Sequence, residues 1–202
     1  MFADALTRRL AGIVELTAEQ VAALEGHYRM LLRWNRNVNL TSISGLEETV
    51  ERHYCESLFL GASLPAGQLR IADIGSGAGF PGFPVSVLRP DCSVTLIESH
   101  QRKAVFLREV SRALPNVRVL SKRAEAASQQ FDWAISRAVS YQDLAPILKA
   151  IAANADLLTG VEEPPEMGFD WKPPVALPWG RQRFLRSGHR CVSRETLADG
   201  TP

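Results

Sequence analysis

Residues 70–85 read RIADIGSGAGFPGFPV, an apolar run, then glycines at 75, 77, 79 and 82, then a second apolar run. A short apolar run that stops at glycine reads as a buried strand, and the segment beyond it as a helix. Glycine lets a backbone turn tightly and lets another group come close to it. The N–H groups at the start of the following helix then face whatever lies there. Four glycines exceed what a strand-to-helix turn needs, so a nucleotide-like ligand is expected against Gly75, Gly77 and Gly79.

The remaining rhythm agrees. Short apolar runs at 94–99, 117–120, 131–136 and 155–158 alternate with helical stretches such as residues 100–114, where apolar side chains recur at 104, 106, 107, 110 and 114. Strands separated by helices require crossovers, and crossovers make a mostly parallel sheet. Upstream, Thr17-x-x-Gln20 reads as a capping box opening a helix with apolar positions 21, 24, 28, 31 and 32. Ser44-x-x-Glu47 reads as a second box, leading into a helix on which Val50, Tyr54 and Leu58 share a face. Residues 1–62 are therefore expected as a helical cap and 63–202 as an α/β core. Prolines at 164, 165, 173, 174 and 178 predict a loop with one or two short edge strands after Gly160.

At 202 residues with 46% apolar side chains the chain can bury a substantial core, and a net charge of +1 argues against a uniformly basic nucleic-acid coat. Cys55, Cys92 and Cys191 are too dispersed for a metal-ligand pattern, and reduced thiols suit the cytoplasm. Neither a signal peptide nor a membrane span is expected from the apolar patterning, and no metal and a monomer are expected.

Two ligand classes fit the glycine turn. Gly77-Ala78-Gly79-Phe80-Pro81-Gly82 matches the short dinucleotide pattern G-x-G-x-x-G, whereas Asp73-x-Gly75-x-Gly77-x-Gly79 resembles the first motif of S-adenosylmethionine-dependent methyltransferases. A carboxylate at Asp73 would repel a pyrophosphate and attract the ammonium and sulfonium of S-adenosylmethionine. Glu98, closing the second strand, stands where an acid accepts from ribose hydroxyls in either class, or caps the next helix.

The blocks LLRWNRNVNLTSI (31–43), RHYCES (52–57), ADIGSGAGFPGFPVSVLRP (72–90), ESHQRKAVFLREV (98–110), AE (124–125) and SRA (136–138) resemble, in order, those of the bacterial RsmG family, also called glucose-inhibited division protein B. The resemblance implies a Rossmann-like class I methyltransferase fold and S-adenosylmethionine as cofactor. It further implies guanine-N7 methylation of small-subunit (16S) ribosomal RNA, with that RNA or its assembly particle as partner. It places cofactor contacts on Gly75, Phe80, Ala124, Glu125 and Arg137, and an arginine-rich RNA contact on Arg183. Arg137, after the fourth strand, becomes the candidate catalytic residue. The chain departs from the family at Glu56, where Asp is common, at Thr159, where Lys is common, and in a short 161–177 segment. The alternatives left open are a methyltransferase of the same fold with another substrate and a nucleotide-binding oxidoreductase.

Guanine N7 carries an in-plane lone pair and needs no proton removed, so His53 is read as orienting the cap or bonding locally rather than as a base. Arg8, Arg9, Arg33, Arg36, Arg102, Lys103, Lys122 and Arg123 form the pool of cations available to RNA phosphates.

Overall fold

The computed structural model describes residues 1–121 and 129–191. Helices α1 (Phe2–Leu10) and α2 (Ala18–Asn35) come first. A continuous helical run follows, made of α3 (Leu46–Thr49), a π-helical segment (Val50–Cys55) and α4 (Glu56–Ser63). The core then alternates β1 (Arg70–Ile74), α5 (Gly82–Leu88), β2 (Ser93–Ile97), α6 (Gln101–Val110), β3 (Val117–Leu120), β4 (Phe131–Arg137), α7 (Tyr141–Ile151) and β5 (Ala152–Thr159). Strands β6 (Phe169–Trp171), β7 (Val175–Ala176) and β8 (Phe184–Arg190) complete one sheet of order β3-β2-β1-β4-β5-β8-β6, with β7 also on β8.

The first five strands in that order are mutually parallel, and β8 runs antiparallel to β5. Strand order reverses between β1 and β4, the point where the loops after the two strands part and leave a crevice. Ile74 pairs with Ser136 there, so the glycine turn after β1 and Arg137 at the end of β4 emerge side by side.

Thr17 caps α2 as the sequence predicts: its hydroxyl accepts from the Gln20 N–H while the Gln20 amide oxygen accepts from the Thr17 N–H. The Gln20 amide nitrogen also donates to the carbonyls of Val87 and Leu88 and satisfies the end of α5. The second predicted box does not form. The helix begins one residue later, with Gly45 at the cap and no side-chain cap bond. Arg8 and Arg9 of the cation pool are turned to Glu47 and Glu51, tying α1 to the helical run.

The tail corrects the sequence reading most. Two short strands, β6 and β7, form as expected, but they pair with an unexpected seven-residue strand, β8, which has neighbours on both sides. Its sequence FLRSGHR lacks an apolar alternation because β8 is buried under particular partners. Trp171 of β6 lies over Gly188, where an added Cβ would stand 2.6 Å from the indole. The prolines fall in the connections.

The core has two faces. On one, Leu6, Leu10, Leu24, Leu31, Tyr54 and Leu58 of the N-terminal helices share a buried cluster with Phe83, Leu96, Phe106 and Leu107 of the α/β part. On the other, α7 covers the sheet through Leu144, Ile147, Leu148 and Ile151. Among the described residues no helix is long and apolar enough to cross a membrane.

Candidate functional site at the carboxyl ends of β1 and β4

Each glycine of the turn has its own reason. Gly75, Gly77 and Gly79 have φ of +71°, +57° and +92°, in the left-handed region that other residues adopt at a cost. A Cβ on Gly75 would strike Val139, and one on Gly79 would crowd Phe83, His27 and Leu107. Gly77 differs: its Cβ would meet only the Gly75 carbonyl oxygen, at an ordinary contact distance of 3.8 Å. Gly82 serves packing, since a Cβ there would lie 2.4 Å from Leu96 and 2.5 Å from the Asp73 carboxylate. The glycines thus fit α5 closely against β1 and β2 and leave an accessible backbone edge at Gly77.

Asp73 is fully buried beneath the turn rather than open at its edge. Its Oδ2 accepts from the Gly82 N–H at 3.0 Å, while Oδ1 is buried without a partner. Burial pushes its carboxyl up to about 7, against the weaker opposing pull of Ser76, the Gly82 N–H and Arg137. Glu98 is likewise tied inward. One carboxylate oxygen accepts from Gly77 N–H at 2.8 Å and the other from His100 N–H at 2.7 Å, so Glu98 links the turn to the start of α6. Both oxygens hold backbone donors, and their second lone pairs remain for the ribose hydroxyls that the sequence reading places there.

The N-terminal helices build the opposite wall. His27 of α2 bridges the Tyr54 hydroxyl (2.7 Å) and the Ala78 carbonyl (3.0 Å). A carbonyl only accepts, so Nε2 carries the proton and Nδ1 accepts from Tyr54. The imidazole thereby props the crest of the glycine turn from below. Asn35, closing α2, accepts from the N–H groups of Leu40 and Thr41 and donates to the Thr41 carbonyl, which folds residues 36–43 back over the site.

Arg137 donates to the Arg52 carbonyl and, at 2.7 Å, to Nδ1 of His53. Its guanidinium also lies 5.5 Å from the centre of the Phe80 ring, on which His53 stacks at 4.5 Å. Burial lowers Arg137 to about 10, which leaves it charged at neutral pH. Burial, reinforced by Arg137 and Arg52, lowers His53 to about 3, which leaves it neutral. Phe80, expected either in the core or against a cofactor, is buried and also lines a cavity.

Two cavities meet at this wall. The smaller, about 410 Å³, is bounded by residues 39–43, Gly75–Ala78, Phe80 and Lys103. The larger, about 680 Å³, is bounded by Arg52, residues 138–142, Leu158–Glu162 and Arg183. Ile43, His53, Arg137 and Ala138 line both. Ala138 sits at φ +59°, an uncommon conformation for alanine that turns the chain sharply between the cavities. Arg183 was expected to hold RNA phosphate. In the structure it donates twice to Glu56, at 3.1 and 2.8 Å, and that carboxylate is 1% exposed. A buried carboxylate requires such a partner, so the first duty of Arg183 is to neutralise Glu56.

Residues 20–156 match the GidB family, described as rRNA small subunit methyltransferase G, over more than half of the chain. The chain belongs to that family. It is 44% identical over 131 residues to a ribosomal RNA small subunit methyltransferase G of Chromobacterium violaceum, covering 63% of this chain and 62% of that one. A protein of the same name from Halorhodospira halophila is 41% identical over 147 residues, 72% and 68% of the two chains. The chain thus spans less than two thirds of the length of the Chromobacterium relative. Among solved structures, a SAM dependent methyltransferase from Aquifex aeolicus superposes with a TM-score of 0.58 at 17% identity, over 71% of this chain and 93% of that one. That likeness shows the fold, a Rossmann-like methyltransferase sheet.

Within this GidB-family chain, Gly75, Gly77, Phe80 and Arg137 come together at one cavity, with Gly79 packed inside the turn behind them. Ala124 and Glu125 lie outside the described residues, as do Lys122 and Arg123. Sequence reasoning missed His27, Asn35 and Thr41. His27 alone left a trace: a histidine within the buried stripe Leu24, His27, Leu31 of α2 must find partners inside. Thr159 uses its hydroxyl to accept from Arg186, a buried arginine of β8. Among the described residues there is no group of His, Cys, Asp and Glu fit to hold a metal ion.

Proposed function

We propose that this chain transfers a methyl group from S-adenosylmethionine to N7 of a guanosine in 16S ribosomal RNA. The observation that carries the reading is the pair of adjoining cavities with Arg137 in their common wall, one at the glycine turn and one large enough for a nucleobase. The relatives' names support ribosomal RNA of the small subunit as the acceptor.

The residues present fit the cofactor. Gly77 lines the smaller cavity with no side chain to obstruct it, and the unpartnered Oδ1 of Asp73 beneath the turn suits a cationic ligand above it. Gly75, Gly77 and Phe80 would hold S-adenosylmethionine, which when bound supplies a methyl group activated by its sulfonium.

The chain's own task is then orientation, because the acceptor nitrogen already carries its lone pair. His53 agrees with this: Nδ1 is engaged by Arg137, and the ring is neutral with its proton on Nε2, so it has no free site to accept a proton. Arg137 contributes a fixed positive charge and N–H donors at the junction of the cavities. N7 lies on the Hoogsteen edge, closed off in the deep groove of an A-form helix, so the acceptor is an unpaired or extruded guanosine.

Calorimetry with S-adenosylmethionine and with NAD, followed by tritiated-methyl transfer to 16S RNA and to small-subunit particles, tests the reading. Binding of the first ligand and recovery of 7-methylguanosine from digested RNA are expected. Preference for NAD, or methylation of a protein or small molecule in place of RNA, overturns it.

A further inference from the structure

Arg137 does not hold its position unaided. Nδ1 of His53 accepts from it at 2.7 Å, and arginine has no lone pair to offer in return, so the His53 proton must sit on Nε2. That nitrogen lies 2.8 Å from Oγ1 of Thr41, which therefore accepts from it. The same oxygen accepts from the Ile43 N–H at 3.1 Å, which turns the hydroxyl's own hydrogen away from both donors. Thr41 in turn is held by Asn35 at the end of α2, and the His53 ring lies flat on Phe80 with an interplanar angle of 17°. Every direction in which the imidazole could rotate or exchange tautomer is closed.

We infer that Thr41 and His53 are positioning residues: Thr41, accepting from Nε2–H, holds the His53 tautomer together with the Arg137 donor at Nδ1, and His53 aims Arg137 at the junction of the two cavities. This assignment rests on the methyl-transfer reading above for its effect on rate, but its geometry does not. Without the Thr41 acceptor, His53 can take the Nδ1–H form, which sets a donor against the Arg137 donor and releases the guanidinium. The relay joins segments far apart in the chain, a loop after α2, the π-helical segment and the end of β4, so the orientation of Arg137 depends on how the N-terminal helices dock.

The test uses the full chain. Two-bond proton–nitrogen correlation on ¹⁵N-histidine protein, with His53 assigned through His53→Asn, reads the tautomer directly. Nε2–H is expected in the wild type, with a mixture or Nδ1–H in Thr41→Val. Single-turnover methylation at saturating RNA and cofactor is then measured for Thr41→Val and His53→Phe, which remove the links. The conservative Thr41→Ser and His53→Asn keep an acceptor in place, the asparagine oxygen falling near the position of Nδ1. The first pair should lose roughly 10²-fold in rate at saturating cofactor, the cost of an acceptor misplaced by about an ångström. The second pair should recover most of that loss. An Nδ1–H tautomer in the wild type overturns the inference whatever the variants do. So do wild-type rates in folded Thr41→Val and His53→Phe, or equal losses in the conservative pair. If the wild type methylates no RNA, the functional reading falls, and the tautomer with its response to Thr41→Val still decides the relay.

Discussion

Glycine 77 and glycine 82 look alike in the sequence and answer to different forces. Gly77→Ala places a methyl without a clash at φ +57°, at a cost of about 1–2 kcal/mol for the left-handed conformation. Gly82→Ala drives a methyl into Leu96 and Asp73, an overpacking of roughly 1–3 kcal/mol or more. Urea denaturation should therefore find Gly82→Ala the less stable, while calorimetry should find cofactor binding weakened more in Gly77→Ala; the reverse ranking would refute this division of labour. Asp73 makes a second residue-scale prediction. Its folded value of about 7 lies above the ordinary ~3.9, so the stability it contributes is complete below pH ~3.9 and is lost as pH rises through about 7. Asp73→Asn keeps an oxygen for the Gly82 N–H and has no charge to bury. The variant's stability relative to wild type should climb by about 1.4 kcal/mol per pH unit between pH 4 and 7, and a difference flat with pH would mean that Asp73 stays ionised. The sequence presented Asp73 as a ligand-facing charge; only its burial shows that the turn was built over it.

Among the elements, the π-helical segment Val50–Cys55 and strand β8 were the least legible. A helical periodicity of Val50, Tyr54 and Leu58 is visible in the sequence, but the wider π turn is not, because it is selected by the bonds that its residues find across the fold. Tyr54 reaches His27, His53 reaches Arg137, and the Arg52 carbonyl takes Arg137's other donor. β8 was hidden because its buried Arg186 and half-buried Ser187 break the pattern that marks a strand. Its approach segment also carries Arg183, and this pair of elements yields a prediction. Arg183→Ala takes both hydrogen bonds from the buried Glu56 carboxylate and leaves it the longer ion pair to Arg52 at 3.6 Å, which should cost up to about 3–5 kcal/mol of stability, far more than removal of a surface phosphate contact. Adding Glu56→Gln should return most of it. Thermal melts of the single and double variants check this, and an unchanged melting temperature in Arg183→Ala would free that arginine for RNA after all.

At the scale of the whole molecule, the N-terminal helices and the sheet share one apolar cluster. Leu24, Leu31, Tyr54 and Leu58 are fully or almost fully buried against side chains of α5, α6 and β2. A fragment beginning at residue 63 would expose that face and lose the His27 prop beneath the glycine turn. It should fail to give a cooperative unfolding transition and should not bind S-adenosylmethionine. A cooperative transition with wild-type affinity would make the helices an accessory to a self-sufficient core.

The sequence by itself determined the alternation of strands and helices, the parallel sheet, the glycine turn after β1 and the placement of Arg137 at the end of β4. These follow from local periodicity, backbone conformation and the short reach of a capping box, which a reader can see within ten residues. The tertiary structure alone decided which donors reach each carboxylate, the Gly82 N–H for Asp73, the Gly77 and His100 N–H groups for Glu98 and the Arg183 guanidinium for Glu56. It likewise decided that Thr41, His53 and Arg137 form one chain of hydrogen bonds. Hydrogen-bond partners dozens of residues apart are set by docking, and no local pattern in a single sequence encodes a distance across space.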